Sequence, residues 1–121
     1  RDGKPLSEEP IIRNKLAELL VECEVGRLMC YRIAWMVDRK QVPNYEASTA
    51  KTMGAELGQK VSNFGLGIMG LYGQLEHGLM APIKGLLHEA YLYTRGDTIA
   101  GGTSEINRGV IAMRGLGLPK G

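Results

Sequence analysis

Two long apolar seams, separated by one short break, constrain this chain more than any other feature. From Ile12 the positions Leu16, Leu19, Cys23, Gly26, Cys30, Ile33 and Val37 recur at alternating steps of four and three. That is the seam of a single amphipathic helix, widened by Leu20, Met29 and Trp35. Arg13, Lys15, Glu22, Arg27 and Asp38 fall off it. A second seam runs through Ala47, Ala50, Gly54, Leu57, Val61, Phe64, Ile68 and Leu71. Val42-Pro43-Asn44 interrupts the pattern between them. Helices over about 8–39 and 44–70 follow, the first about 50 Å long at 1.5 Å per residue. A short polar turn between two such helices gives an antiparallel hairpin.

Local signals place the remaining elements. Ser7 reads as an N-cap, with Glu8 and Glu9 in a first turn that also tolerates Pro10. Residues 73–78 read as a loop. Ala81-Pro82 opens a third helix to about residue 95, with Ile83, Leu86, Leu87, Ala90 and Tyr91 on its buried face. A last helix over about 103–115 buries Ile106, Val110 and Met113 and stops at Gly115, Gly117 and Pro119. No strand-like alternation occurs, so the fold class is all-α, in one domain over residues 1–121.

Charge and composition exclude several classes. The net charge is only +2 and the basic residues are dispersed, which offers no face to nucleic acid or to an anionic membrane. No apolar run is long enough to span a bilayer. The chain opens at Arg1 rather than Met, so the absence of a signal peptide carries little weight. Cys23 and Cys30 stand two helical turns apart, roughly 10 Å, beyond disulfide reach. They are expected as reduced, buried thiols, which fits a cytoplasmic protein. His77 and His88 share no metal-ligand spacing with them, and no metal site is expected.

Glycine is concentrated in the second arm, at Gly54, Gly58, Gly65, Gly67 and Gly70. Each interior glycine costs about 0.5–1 kcal/mol relative to alanine, so backbones or a ligand are expected close by. For Gly54 and Gly58 helix packing is the favoured explanation. Gly65-Leu66-Gly67-Ile68-Met69-Gly70 matches the dinucleotide fingerprint in letters. That motif needs a strand before it and a helix opening at it, and here it ends a helix.

The segment Asp97-Thr98-Ile99-Ala100-Gly101-Gly102-Thr103-Ser104-Glu105-Ile106-Asn107-Arg108 is the most informative stretch for function. A glycine pair runs into Thr-Ser-Glu at a helix start, where free N–H groups and the Thr103 hydroxyl can meet an anion or a polarised carbonyl. A plain capping box, with Glu105 reaching back toward Gly102, explains the same residues. The segment is similar to the Tyr-Glu-Gly-Thr-Ser-Glu/Gln-Ile-Gln-Arg signature of acyl-CoA dehydrogenases. Further matches follow in order. They are Gly3-Lys4-Pro5-Leu6, Leu16-Ala17-Glu18, Arg32 with Trp35, Ala50-Lys51, Met69-Gly70-Leu71-Tyr72-Gly73 and the closing Arg114-Gly115-Leu116-Gly117-Leu118-Pro119. The resemblance covers essentially the whole chain.

That resemblance implies the antiparallel four-helix bundle found at the C-terminus of the family, lacking its first helix. It implies FAD, which takes a hydride from the acyl β-carbon while a glutamate takes the α-proton, giving a trans-2-enoyl-CoA. Gly70 and Leu71 correspond to a glycine turn that meets the adenosine end of a partner subunit's FAD, and Thr103 and Glu105 to further FAD contacts. The family's arginine ahead of the bundle lies near Arg1 but is offset by about two residues, so Arg1 is not assigned. Implied partners are an acyl-CoA, a second copy or a related subunit in an oligomer, and an electron-transfer flavoprotein or similar acceptor.

One position departs from the family. Gly101 stands where many members carry the catalytic glutamate, so this chain supplies no catalytic residue there. Either the carboxylate resides on a preceding bundle helix, or the chain is a non-catalytic subunit of a hetero-oligomer. Ala100 and Gly101 together leave room for a bulky or branched acyl group. A flavin-free helical interaction module and a plain structural bundle explain the seams but not the Gly-Gly-Thr-Ser-Glu turn. By itself the chain is expected to be inactive, and its exposed seams are expected to drive self-association.

Overall fold

A computed structural model describes residue 3 and residues 5–120. Arg1, Asp2, Lys4 and Gly121 lie outside the described residues, and with them the Arg1 comparison and one position of the Gly-Lys-Pro-Leu match. The described residues include four α-helices: α1 (Pro10–Asp38), α2 (Tyr45–Met69), α3 (Leu86–Asp97) and α4 (Ser104–Val110). There is no strand among the described residues.

Ser7 does not cap α1. Residues Leu6–Glu8 form a separate 3-10 turn, and α1 opens at Pro10, whose missing N–H costs nothing in a first turn. Helix α1 runs to Asp38 and α2 starts seven residues later, with Pro43 and Asn44 in the turn between them.

Helix α2 is the spine. Lys60 pairs with Glu22 across the antiparallel α1–α2 hairpin at 2.6 Å. On another side, Gly58 lies against Thr94 and Gly65 against Leu87, so α3 also runs antiparallel to α2. Helix α4 continues in the same direction along the first half of α2. Arg108 meets Glu56 and, further on, Arg114 donates to Asn44 Oδ1 at 2.6 Å.

The seam drawn from the sequence of α1 is displaced. The stripe turned toward the rest of the fold is Ile12, Lys15, Leu19, Glu22, Gly26, Met29, Ile33 and Met36. Leu16, Cys23, Cys30 and Val37 lie one residue, about 100°, further round and are exposed. Cys23 and Cys30 are unbonded as expected, but they are not buried. The cause is that α1 is apolar on several faces. Leu20, Val21, Leu28, Tyr31 and Trp35 are also exposed, and periodicity alone does not say which face meets α2.

In α2 the expected Gly54 and Val61 face outward, and Thr52, Ala55 and Ser62 are the buried residues. Small and polar side chains occupy this position because helices pack on α2 from several sides. The α2–α3 seam is hydrogen-bonded rather than greasy. Gln59 Nε2 donates to Thr94 O and to Thr98 Oγ1, both at 3.1 Å, and Arg95 donates to Asn63 Oδ1 at 2.7 Å while lying over the Tyr91 ring.

Helix α3 begins later than Pro82 suggests. Pro82–Gly85 is a 3-10 turn in which Ile83, Lys84 and Gly85 have φ of 43°, 57° and 75°. Three successive left-handed residues cannot continue into a right-handed helix, so α3 opens at Leu86. Ile83 and Leu86 consequently stay exposed. Helix α4 also differs from expectation. Ser104 and Asn107 are its buried residues, Ile106 faces solvent, and Ile111–Gly115 widens into a π turn.

Candidate functional site

The turn between α3 and α4 is built almost entirely from backbone. Ile99 and Ala100 N–H groups both donate to Gly96 O, at 2.9 and 2.8 Å, closing the end of α3. Gly101 and Gly102 follow with φ of 66° and 95°, which side-chain-bearing residues adopt only under strain. Ser104 N–H then donates back to Thr98 O at 3.0 Å, closing the loop on itself.

Thr103 is the N-cap of α4, and its Oγ1 accepts from Ile106 N–H at 3.3 Å. The alternative of a capping box with Glu105 does not hold, because Thr103 is the N-cap and the N3 position that box requires is Ile106. The Glu105 carboxyl is held below the ordinary carboxylate range, chiefly by its own N–H, then by the Thr103 hydroxyl and more weakly by Arg108. Asn107 Nδ2 donates to Gly102 O at 2.9 Å and to Thr103 O at 3.0 Å. From α2, Lys51 Nζ donates to Asp97 O at 3.0 Å and to Gly102 O at 2.7 Å.

A cavity of about 270 Å³ opens beside this turn, bordered by Lys51, Gly54, Ala55, Asp97 and Ala100. A Cβ added at Gly101 or Gly54 would meet nothing within 4 Å. A Cβ at Gly58 would lie 3.2 Å from Thr94 Cγ2, so packing explains Gly58 but not Gly54. The buried hydroxyls of Ser104 and Thr52 have no hydrogen-bond partner.

The glycine end of α2 forms the second locality. Gly70 ends the helix with φ of 58°, and the chain continues as a 3-10 turn over Gly70–Gln74 where a plain loop was expected from Gly73. Leu71 is 82% exposed, and nothing lies within 4 Å of an added Cβ at Gly70. An open groove of about 610 Å³ runs past it between α2 and α3, bordered by Gly67, Gly70, Gly73, Gln74, His88 and Tyr91. The dinucleotide-like glycines all lie in or at the end of α2, and Gly65 is there because Leu87 packs on it.

The structure brings Thr103 and Glu105 together, and Gly70 with Leu71, but not one pair with the other. The first pair lies at the level of Lys51 and the second nineteen residues along the same helix, about 28 Å away by helical rise. The roles of Lys51 and Asn107 were not readable in advance. Their bonding partners depend on how α3 and α4 fold back on α2. Among the described residues no cluster of His, Cys, Asp and Glu is suited to a metal ion. No described helix is long and apolar enough to cross a membrane.

Residues 1–116 match the family model for the acyl-CoA dehydrogenase C-terminal domain. This chain belongs to the acyl-CoA dehydrogenase family. It is 33% identical over 113 residues to the probable acyl-CoA dehydrogenase YngJ of Bacillus subtilis, covering 93% of this chain and 28% of that protein. Among solved structures, the ChsE4-ChsE5 complex from Mycobacterium tuberculosis superposes with a TM-score of 0.89 at 26% identity, over 98% of this chain and 31% of the other. The steroid ACAD Tcur3481-Tcur3483 gives the same TM-score and identity over 95% and 30%. This dehydrogenase domain thus spans less than a third of the relatives it matches, and its four helices are those of the family's C-terminal helical domain.

Proposed function

We propose that this chain is a single domain, residues 1–121, of an FAD-dependent acyl-CoA dehydrogenase that oxidises an acyl-CoA thioester to the trans-2-enoyl-CoA. The observation that carries the reading is the 98–103 turn, a surface with two adjacent glycines beside an open cavity. The chain's own residues fit a flavin from outside. Gly70 and Leu71 present bare backbone and an exposed side chain, and Thr103 places a hydroxyl at the start of α4, directed to Glu105. When bound, FAD accepts the hydride.

The separation of the two localities, about 28 Å measured along α2, suits one domain serving two flavins, its own at Thr103 and Glu105 and a partner's at Gly70 and Leu71. The exposed apolar faces of α1 support assembly with a second copy or a related chain. Electrons would leave through an electron-transfer flavoprotein or similar acceptor, in the cytoplasm. The isolated domain, without the rest of the flavin site, is expected to be inactive.

Gly101 offers no proton acceptor, and the Glu105 carboxyl is engaged by its own N–H and Thr103. The catalytic carboxylate must therefore come from another helix or another subunit. The two-chain ChsE4-ChsE5 neighbour gives the subunit alternative specific support. The open space at Gly101 next to the small Ala100 suits a bulky acyl group, and the steroid dehydrogenase among the neighbours has the same fold.

The test is anaerobic bleaching of the flavin by acyl-CoA in the full-length protein, alone and with its related subunit. We expect FAD to co-purify, bleaching to require a carboxylate outside this domain, and Gly101→Glu to restore part of it when that carboxylate is removed. General-base catalysis is worth about 10²–10⁴-fold, a readily resolved difference. A full-length protein that binds no FAD would refute the reading.

A further inference from the structure

We propose that Lys51 is the positioning residue of the 98–103 turn, holding it by its ammonium group at the place where the flavin and the acyl group are to be met. The proposal rests on the functional reading above for what the turn faces, but not for the tie itself.

The turn needs an external tie. Gly101 and Gly102 carry no side chains, and both sit at positive φ, so neither packing nor rotamer preference fixes them. Lys51 is only partly exposed, and reaches across from α2 to two carbonyls that belong to different parts of the turn. One is Asp97 O, in the last residue of α3, where helical carbonyls lack partners and the dipole favours a cation. The other is Gly102 O, immediately before the N-cap of α4.

A single charge thereby spans the beginning and the end of the turn and anchors both to the spine. Gly102 O also accepts from Asn107, so its two lone pairs are used by α2 and by α4 together. An ammonium suits this position because it is a compact charge with three freely rotating donors, whereas a guanidinium would impose a planar fork. Gly54, one helical turn along, borders the same cavity as Lys51.

The test compares Lys51→Met, which keeps the stem and removes the charge, with Lys51→Arg. In the 121-residue chain, amide exchange at residues 98–104 is expected to rise about ten- to a hundredfold in Lys51→Met, the loss of a charged hydrogen bond, while α1 and the middle of α2 are unchanged. Lys51→Arg should recover part of the protection. In the full-length holoenzyme Lys51→Met should lower kcat and perturb the flavin absorption band, with Lys51→Arg intermediate. In the unaltered chain the Lys51 ammonium protons should exchange slowly and give a proton contact to Gly102. That measurement decides the matter even if Lys51→Met fails to fold. Unchanged exchange at the turn, uniformly raised exchange throughout, or a freely exchanging ammonium would overturn the proposal. An unchanged flavin spectrum and kcat beside a loosened turn would overturn the functional part. If the full-length protein binds no FAD, the functional reading fails and the exchange arm still decides the tie.

Discussion

Alanine at Gly101 and at Gly102 should have unequal consequences, though the two glycines are adjacent and both sit at positive φ. At Gly101 an added Cβ meets nothing within 4 Å, so the cost is the left-handed backbone alone, about 1–2 kcal/mol. Reduced freedom of the unfolded chain offsets about 0.4–1 kcal/mol of it, leaving a net loss near 1 kcal/mol. At Gly102 φ is 95°, and the new Cβ would lie 3.1 Å from Asn107 Nδ2. Asn107 is buried and donates to Gly102 O and Thr103 O, so displacing its amide weakens two hydrogen bonds of about 1 kcal/mol each. The expected loss is about 2–4 kcal/mol. Urea denaturation of the two variants measures the difference, and the same substitution on an Asn107→Ala background tests its route. There the Gly102→Ala cost should fall to about that of Gly101→Ala. Equal costs for the two glycines, or an undiminished cost for Gly102→Ala without Asn107, would refute the geometry described for this turn.

Two further outcomes follow from the packing. Leu20 and Leu28 are exposed on α1, as are Tyr31 and Trp35; changing both leucines to Glu should weaken self-association at least a hundredfold, since each buried Leu contributes about 1.5–3 kcal/mol, and sedimentation would detect it. Gly85→Ala would place a Cβ 2.0 Å from Glu76 O at φ of 75°, so it should destabilise the chain by at least about 3 kcal/mol in thermal or urea unfolding, with a neutral result excluding that approach.

What the sequence determined was local. The all-α class, the two long helices, the break at Pro43 and the Thr-Ser-Glu helix start follow from apolar spacing, proline chemistry and capping residues. These act within a few positions of one another. Observed bounds of Pro10–Asp38 and Tyr45–Met69 fall within two residues of expectation. Tertiary structure decided which face of each helix is inside. Helix α1 is apolar on several sides, so only docking on α2 selects Lys15, Glu22, Met29 and Met36 over Leu16, Cys23, Cys30 and Val37. It also decided the start of α3, because Gly85 must lie against the backbone of Glu76 and the left-handed turn that brings it there consumes Ile83 and Lys84. The candidate site divides the same way. Its glycines and Thr103 were visible as a pattern. Lys51 lies about fifty residues away in sequence, and only the return of α3 and α4 along α2 brings its charge within 3.0 Å of the turn's carbonyls.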